Sequence, residues 1–161
     1  MLTKIYWIHR YDNSAKIGIM ARPRGNEWLE EEIAGLKKQQ VAIIVSLLEP
    51  SEIFELGLEK EQQTCLKHGI DYRNFPIPDR GLPGKKDNIN PFINKLVSDA
   101  KEGNNIVIHC RMGIGRSSII AGAILLQAGL KAEAIIAHIS KVRGLRVPDT
   151  DEQIKWLKAR E

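Results

Sequence analysis

The sequence predicts an α/β domain with a central, mostly parallel, twisted sheet of four to five strands covered by helices on both faces. Three observations predict it. Short β-branched runs alternate with longer stretches of helical period, the pattern of parallel strands joined by helical crossovers. The run Ile106-Val107-Ile108 has no polar alternation, as expected of a strand buried on both faces. The stretch Ile119 to Leu126 that follows is apolar all round and reads as a buried helix. At 161 residues and 43% hydrophobic content the chain can bury one sizeable core, so a single domain over residues 1–161 is expected.

Each element follows in order. Lys4 to His9 and Lys16 to Met20 read as two short strands around the turn Asp12-Asn13-Ser14. Glu27 to Gln40 places Leu29, Ile33, Leu36 and Lys37 at near-helical spacing, and Val41 to Leu47 is the most strand-like run of the first half. Ser51 to Leu56 and Leu58 to His68 read as short helices. The start of the first lies near Glu49 and Pro50-Ser51-Glu52, where Glu49 either caps the helix or faces a site. Ile70 to Phe75 is the next strand. Asn88 to Lys101 puts Ile89, Phe92, Ile93, Leu96, Val97 and Ala100 on one helical face. After Ile119 to Leu126, a helix carrying Ala132, Ile135, Ile136, Ile139 and Val142 precedes a terminal one marked by Ile154 and Leu157.

The informative segment joins the Ile106 strand to the Ile119 helix: His109-Cys110-Arg111-Met112-Gly113-Ile114-Gly115-Arg116-Ser117-Ser118. It places a thiol at the mouth of a turn that leads into a helix N-terminus, so amides from Arg111 to Arg116 can converge on one anion. Gly113 and Gly115 permit the curl and the close approach of backbone to ligand. Arg116 offers a planar fork to two phosphate oxygens. The same positive field favours an ionised, nucleophilic sulfur on Cys110.

These residues resemble the signature of the cysteine-dependent protein phosphatases: His-Cys, five residues, Arg, then Ser or Thr. The short chain resembles the compact dual-specificity type. The resemblance implies a phosphatase-type fold and a phosphocysteine formed on Cys110. It also implies phosphate binding by residues 111–116, a Ser117 hydroxyl that helps the sulfur leave, and a His109 that orients and acidifies the cysteine. A proton donor for the leaving oxygen is also needed. Asp79 is the candidate, in the turn-rich Phe75-Pro76-Ile77-Pro78-Asp79-Arg80-Gly81-Leu82-Pro83-Gly84, where the family carries its general acid on a mobile loop. Ordinary turn chemistry is the other reading of Asp79.

Arg146 to Gln153 lies where the family has a loop that positions the hydrolytic water. Some members carry two glutamines four residues apart; this chain has Asp149 first and Gln153 second. Either one positions water, or the segment is a helix start with Asp149 or Thr150 as cap and Glu152 or Gln153 closing a capping box. The segment Gly18 to Pro23 resembles a substrate-recognition stretch, which places Arg22, and with it Arg80, at the rim of the site.

Composition sets the remaining expectations. A formal charge of +4 and a pI near 9.1 suit an enzyme for anionic substrates. No basic block with interleaved aromatics points to nucleic acid, and no apolar stretch is long enough for a membrane span. No metal-ligand spacing occurs, and neither metal nor cofactor is expected. Of the two cysteines, Cys65 reads as packing, with a redox partnership to Cys110 as the alternative. The expected protein is a cytoplasmic monomer acting on a phosphorylated protein or peptide, at phosphotyrosine and also at phosphoserine or phosphothreonine. Alternatives are a phosphatase of RNA triphosphate or inositides, sulfur or arsenate chemistry on the same loop, and a non-catalytic phosphate-binding module. The signature's interior lacks the lysines expected to meet the extra phosphates of inositides.

Overall fold

In the computed structural model, which describes residues 1–161, five strands make one sheet: β1 (Tyr6–Arg10), β2 (Lys16–Met20), β3 (Ile43–Ser46), β4 (Asp71–Asn74) and β5 (Ile106–His109). Their order across the sheet is β1-β2-β5-β3-β4; β1 pairs antiparallel with β2 and the other three pairings are parallel. The two central strands, β5 and β3, are buried at every position, whereas the edge strand β4 keeps exposed ends. That is the burial their sequences call for, since IVIH and IIVS carry β-branched residues toward both faces and DYRN does not.

Seven helices cover the two faces. On one side lie α1 (Leu29–Lys38), entered through a single 3-10 turn at Asn26–Trp28, α2 (Pro50–Glu55) and α3 (Glu61–Lys67). Leu29, Ile33, Leu36 and Cys65 pack there with Met20, Ile44 and Val107. On the other side lie α4 (Asn90–Lys101), α5 (Arg116–Leu126), α6 (Ala132–Arg143) and α7 (Asp151–Ala159). Ile17, Ile19, Ile43, Val45, Ile106 and Ile108 face them, the alternate residues of the same strands, together with Cys110. The helix α5 runs through the middle of this layer with ten of its eleven residues buried, which explains its lack of a polar face.

Strand ends differ from the sequence reading by a residue or two. The first strand starts at Tyr6 rather than Lys4 and slips register between Trp7 and His9, and the Leu58 helix starts at Glu61. Register decides where the site can form. Met20 and Ser46 both sit opposite His109, and Asn74 opposite Ser46. The carboxyl ends of four strands therefore finish level, and the segments that leave them meet at one edge.

Candidate active site

The loop after β5 curls between His109 and the start of α5. Its amides from Arg111 to Arg116 donate to no protein acceptor, six in succession in a chain with 100 backbone hydrogen bonds. Its carbonyls are instead held from outside. Arg143 at the end of α6 donates from Nε to the Gly113 carbonyl at 2.9 Å and from its terminal nitrogen to that of Met112 at 3.1 Å, while its guanidinium stacks on the Tyr6 ring at 4.2 Å. The Arg22 amide donates to the Arg111 carbonyl at 3.3 Å. Carbonyls pinned outward leave the amides of the same peptides free on the opposite side.

The two glycines serve different needs. Gly113 has φ +69°, and a Cβ there would come within 2.5 Å of the Met20 carbonyl carbon, so both conformation and space require it. Gly115 has φ −89°, which any residue adopts. Space alone requires it: a Cβ would meet the Asp149 carboxylate and Gln153 Oε1.

Cys110 is 3% exposed and lies at the floor of the curl rather than at its mouth, with Sγ 3.4 Å from Ser117 Oγ. Arg116 is 2% exposed beside it. Its guanidinium is bonded end-on by Glu52, through 2.7 and 2.9 Å hydrogen bonds, and also donates to the Ile77 carbonyl at 2.9 Å and to Asp79 Oδ1 at 3.1 Å. Nε alone has no protein acceptor. The outer fork that the sequence assigned to phosphate is thus taken by a carboxylate, and an incoming anion meets the inner edge, Nε and the nitrogen that holds Asp79. Burial opposes the charge on Arg116, but the Glu52 hydrogen bond and the nearby Cys110, Glu52 and Asp79 outweigh it and hold the guanidinium above its ordinary value. Glu52 is held below the ordinary carboxylate range: burial would raise it, and the Arg116 bond, the Glu49 amide and the charges of Arg116 and Arg111 prevail.

The segment carrying Asp79 is anchored by Ile77, which is fully buried and donates its amide to the Leu47 carbonyl. Beyond it a tight turn closes with the Gly81 amide on the Pro78 carbonyl, Arg80 taking φ +58°. The Asp79 side chain remains 56% exposed, and Arg80 is exposed. Gln153 ties this turn to α7: its Nε2 donates to the Gly81 carbonyl at 3.0 Å, and its Oε1 accepts from the amides of Asp149 and Thr150. Thr150 is the helix cap and Gln153 closes the capping box, as the helix reading of the segment expected. Gln153 is wholly buried between the signature loop and the Asp79 turn, and Asp149, exposed, abuts Gly115.

His109 is wholly buried on the opposite face of the sheet from Cys110, its Nε2 2.7 Å from Glu61 Oε2. Cys65 belongs to that same far layer, fully buried, and burial followed by the nearby Glu61 pushes its thiol up to about 12. It is packing. The residues sequence reasoning missed are Glu52, read only as part of a helix start, and Glu61, which falls within the Leu58 to His68 helix and was given no role. Glu49 caps α2 through the same turn and donates its amide to Glu52 Oε1 at 3.1 Å. Arg111, within the signature, directs its guanidinium away to Glu55 at 2.9 Å and Glu52 at 3.6 Å.

A family model described as "Polymorphic toxin system, DSP-PTPase phosphatase" matches residues 18–130, well over half of the chain and the whole signature. The chain belongs to the dual-specificity protein tyrosine phosphatase superfamily. It is thereby a member of a family of cysteine-based phosphatase enzymes. Among its relatives are rat cyclin-dependent kinase inhibitor 3, 29% identical over 56% of this chain and 43% of that protein, and mouse protein tyrosine phosphatase type IVA 2, 28% identical over 48% of this chain and 47% of that protein. The chain thus spans less than half the length of these two relatives.

The fold is that of solved phosphatases. Kinase-associated phosphatase, crystallised with its catalytic cysteine replaced by serine, superposes with TM-score 0.87 at 21% identity, covering 98% of this chain and 93% of that one. PTPMT1 in complex with PI(5)P superposes at 0.71 and 20% identity, covering 96% and 94%. No helix is long and apolar enough to cross a membrane.

Proposed function

We propose that this phosphatase-family chain hydrolyses phosphotyrosine, and also phosphoserine or phosphothreonine, in a protein or peptide, by two in-line displacements at phosphorus. In the first, the Cys110 sulfur bonds to phosphorus as the P–O bond to the leaving group breaks, and Asp79 gives its proton to the departing oxygen. In the second, water attacks the phosphocysteine, Asp79 takes up a water proton, the S–P bond breaks, and inorganic phosphate leaves. In this scheme Ser117 Oγ, 3.4 Å from the sulfur, donates to the thiolate as it departs. Asp149 and Gln153, beside Gly115, are the residues of this reading for water positioning, and Arg22 and Arg80 for the rim.

The observation that carries the reading is the run of six unpartnered amides around one cysteine, closed by the inner edge of Arg116. Such donors stabilise charge that redistributes over equatorial oxygens without reorganising during the reaction. The commitment of Arg111 to Glu52 and Glu55 favours a monophosphate ester over an inositide, since the signature's one interior cation is already neutralised.

Hydrolysis of an aryl phosphate in chelator-containing buffer tests the scheme. Cys110→Ser is expected to lose nearly all activity, and Asp79→Asn to lose about 10²-fold or more in kcat. Full activity in the serine variant would reject it. Comparing kcat/KM for phosphotyrosine and phosphothreonine peptides then fixes the substrate: rates within tenfold of each other reject a tyrosine-only pocket.

A further inference from the structure

The chain has ten arginines, and most are engaged. Arg24, Arg73, Arg111 and Arg116 meet carboxylates. Arg10, Arg143 and Arg160 donate to neutral oxygens. The others, Arg22, Arg80 and Arg146, have no side-chain partner, and all of them border the signature loop. Arg22 lies just past β2, and its own amide donates to the Arg111 carbonyl. Arg80 follows Asp79, whose carboxylate meets Arg116. Arg146 shares an open hollow with Asp151 and with Asp149, which abuts Gly115.

These arginines differ in what surrounds them. The carboxylates of Asp149 and Asp151 offset Arg146 within its hollow. Arg22 and Arg80 have no acid in ion-pair range. Nε of Arg22 is buried without an acceptor, so this half-buried side chain lacks the bond that burial demands. Arg80 is exposed, and between it and Asn90 stand Lys85 and Lys86 with a single acid, Asp87. Within the signature, by contrast, Arg111 is taken by Glu52 and Glu55. Free positive charge therefore lies at the rim, on two sides of Cys110.

The sheet sets how far apart those sides are. From β5, which leads into Cys110, β2 lies one place to one side and β4 two places to the other. Neighbouring strands are about 4.8 Å apart, so the segments that leave β2 and β4 emerge roughly 14 Å apart, with Cys110 between them. An extended peptide advances about 3.3 Å per residue and crosses that gap in about four residues. A single inositol ring is narrower than the gap, so a peptide is the ligand that reaches both sides.

We propose that the rim selects phosphorylated peptide segments with an acidic residue on each side of the phosphoresidue, about two positions away, one carboxylate taken by Arg22 and the other by Arg80. The inference rests on the reading of the site as a phosphatase of proteins or peptides. A guanidinium receives a carboxylate through two parallel hydrogen bonds, and each such pair at an exposed rim contributes modestly. Two of them give a preference of about tenfold over a neutral peptide, or about threefold for each acid.

The test reads binding and needs no turnover. Dissociation constants are measured by fluorescence anisotropy for labelled phosphotyrosine peptides on the Cys110→Ser chain, with Glu or Gln at the second position on either side. Only ratios between matched peptides are compared, so a variant weakened overall leaves them unchanged. The peptide with both acids is expected to bind about tenfold tighter than the one with neither. Adding Arg22→Gln is expected to abolish the preference on one side of the phosphotyrosine, and adding Arg80→Gln on the other. No preference with both arginines present, an unchanged preference in either variant, or equal losses on both sides from one substitution overturns the proposal. Should a variant not fold, salt decides: with both arginines present the preference is expected to shrink to about twofold or less between about 50 mM and 500 mM salt, and a salt-independent preference contradicts it. Inositol bisphosphate is the competing arm. If it loses affinity in both arginine variants while the peptides show no acid preference, the rim reads a lipid headgroup and the peptide assignment falls. Hydrolysis by the unaltered chain is scored separately. Peptide turnover without regard to flanking acids fails this inference alone, whereas acid-selective binding without any hydrolysis fails the functional reading alone.

Discussion

Arg116 presents both terminal nitrogens to Glu52, at 2.7 and 2.9 Å, with the arginine side chain 1% and the glutamate 8% exposed. A guanidinium so fixed cannot swing. Its inner edge is held at one angle to Cys110, and the anion must come to it. Glu52→Ala leaves a buried cation without its partner, for which the expected cost is about 3–5 kcal/mol of stability. The expected kinetic result is a fall of roughly tenfold or more in kcat/KM, with Glu52→Gln intermediate because it keeps one acceptor. Thermal melts and steady-state kinetics on the two variants check this.

Acid should unfold the chain through the same carboxylate. Glu52 is held below its ordinary value of 4.5, and Asp99, bonded to Arg73 at 2.6 Å and Lys95 at 2.9 Å, below its ordinary 3.8. A carboxylate lowered on folding stabilises the fold in full above its unfolded value, and that stability is lost as pH falls through the folded value. Stability should therefore be flat near neutrality and drop below about pH 4.5. Denaturant titrations at stepped pH should show a shallower acid limb in Asp99→Asn than in the parent chain.

Gly113 tests the loop geometry. With φ +69° and the Met20 carbonyl carbon 2.5 Å from a Cβ, Gly113→Ala is expected to cost about 1–3 kcal/mol and to turn neighbouring amides out of alignment. Activity should fall further than stability accounts for, which is seen when the variant is assayed well below its Tm.

How much of this was legible in the residues differs between scaffold and site. Ile106 to Ile108 and Ile119 to Leu126 declared themselves because burial on all sides leaves a continuous apolar run, and His109 to Ser117 because a local loop carries its own spacing. Glu52 and Glu61 did not. Each is a charged residue in a short helix that resembles a solvated face, and each meets its partner across 64 and 48 positions of chain. Only the level ending of β3, β4 and β5 brings α2 and α3 to the signature, and no local pattern encodes that register. The carbonyls that Arg143 pins likewise lie 30 and 31 residues away from it.

Gln153 joins the two halves of the proposed chemistry, so Gln153→Ala should separate them. Losing the capping box and the bond to the Gly81 carbonyl is expected to cost about 1–2 kcal/mol. The Asp79 turn loses its tether, so kcat should fall more for a poor leaving group, which needs the acid, than for a nitrophenolate. Aryl phosphates of graded leaving-group basicity measure this, and equal losses across the series would mean that Gln153 does not steady the acid.

The proposed chemistry turns on a bond between one sulfur and phosphorus. Rapid quenching of Asp79→Asn with a labelled phosphoester, followed by peptide mass analysis, tests it most directly. A transient phosphoryl group is expected on Cys110, at up to one per chain, formed before phosphate is released. Label on another residue, or turnover with Cys110 never modified, would contradict it.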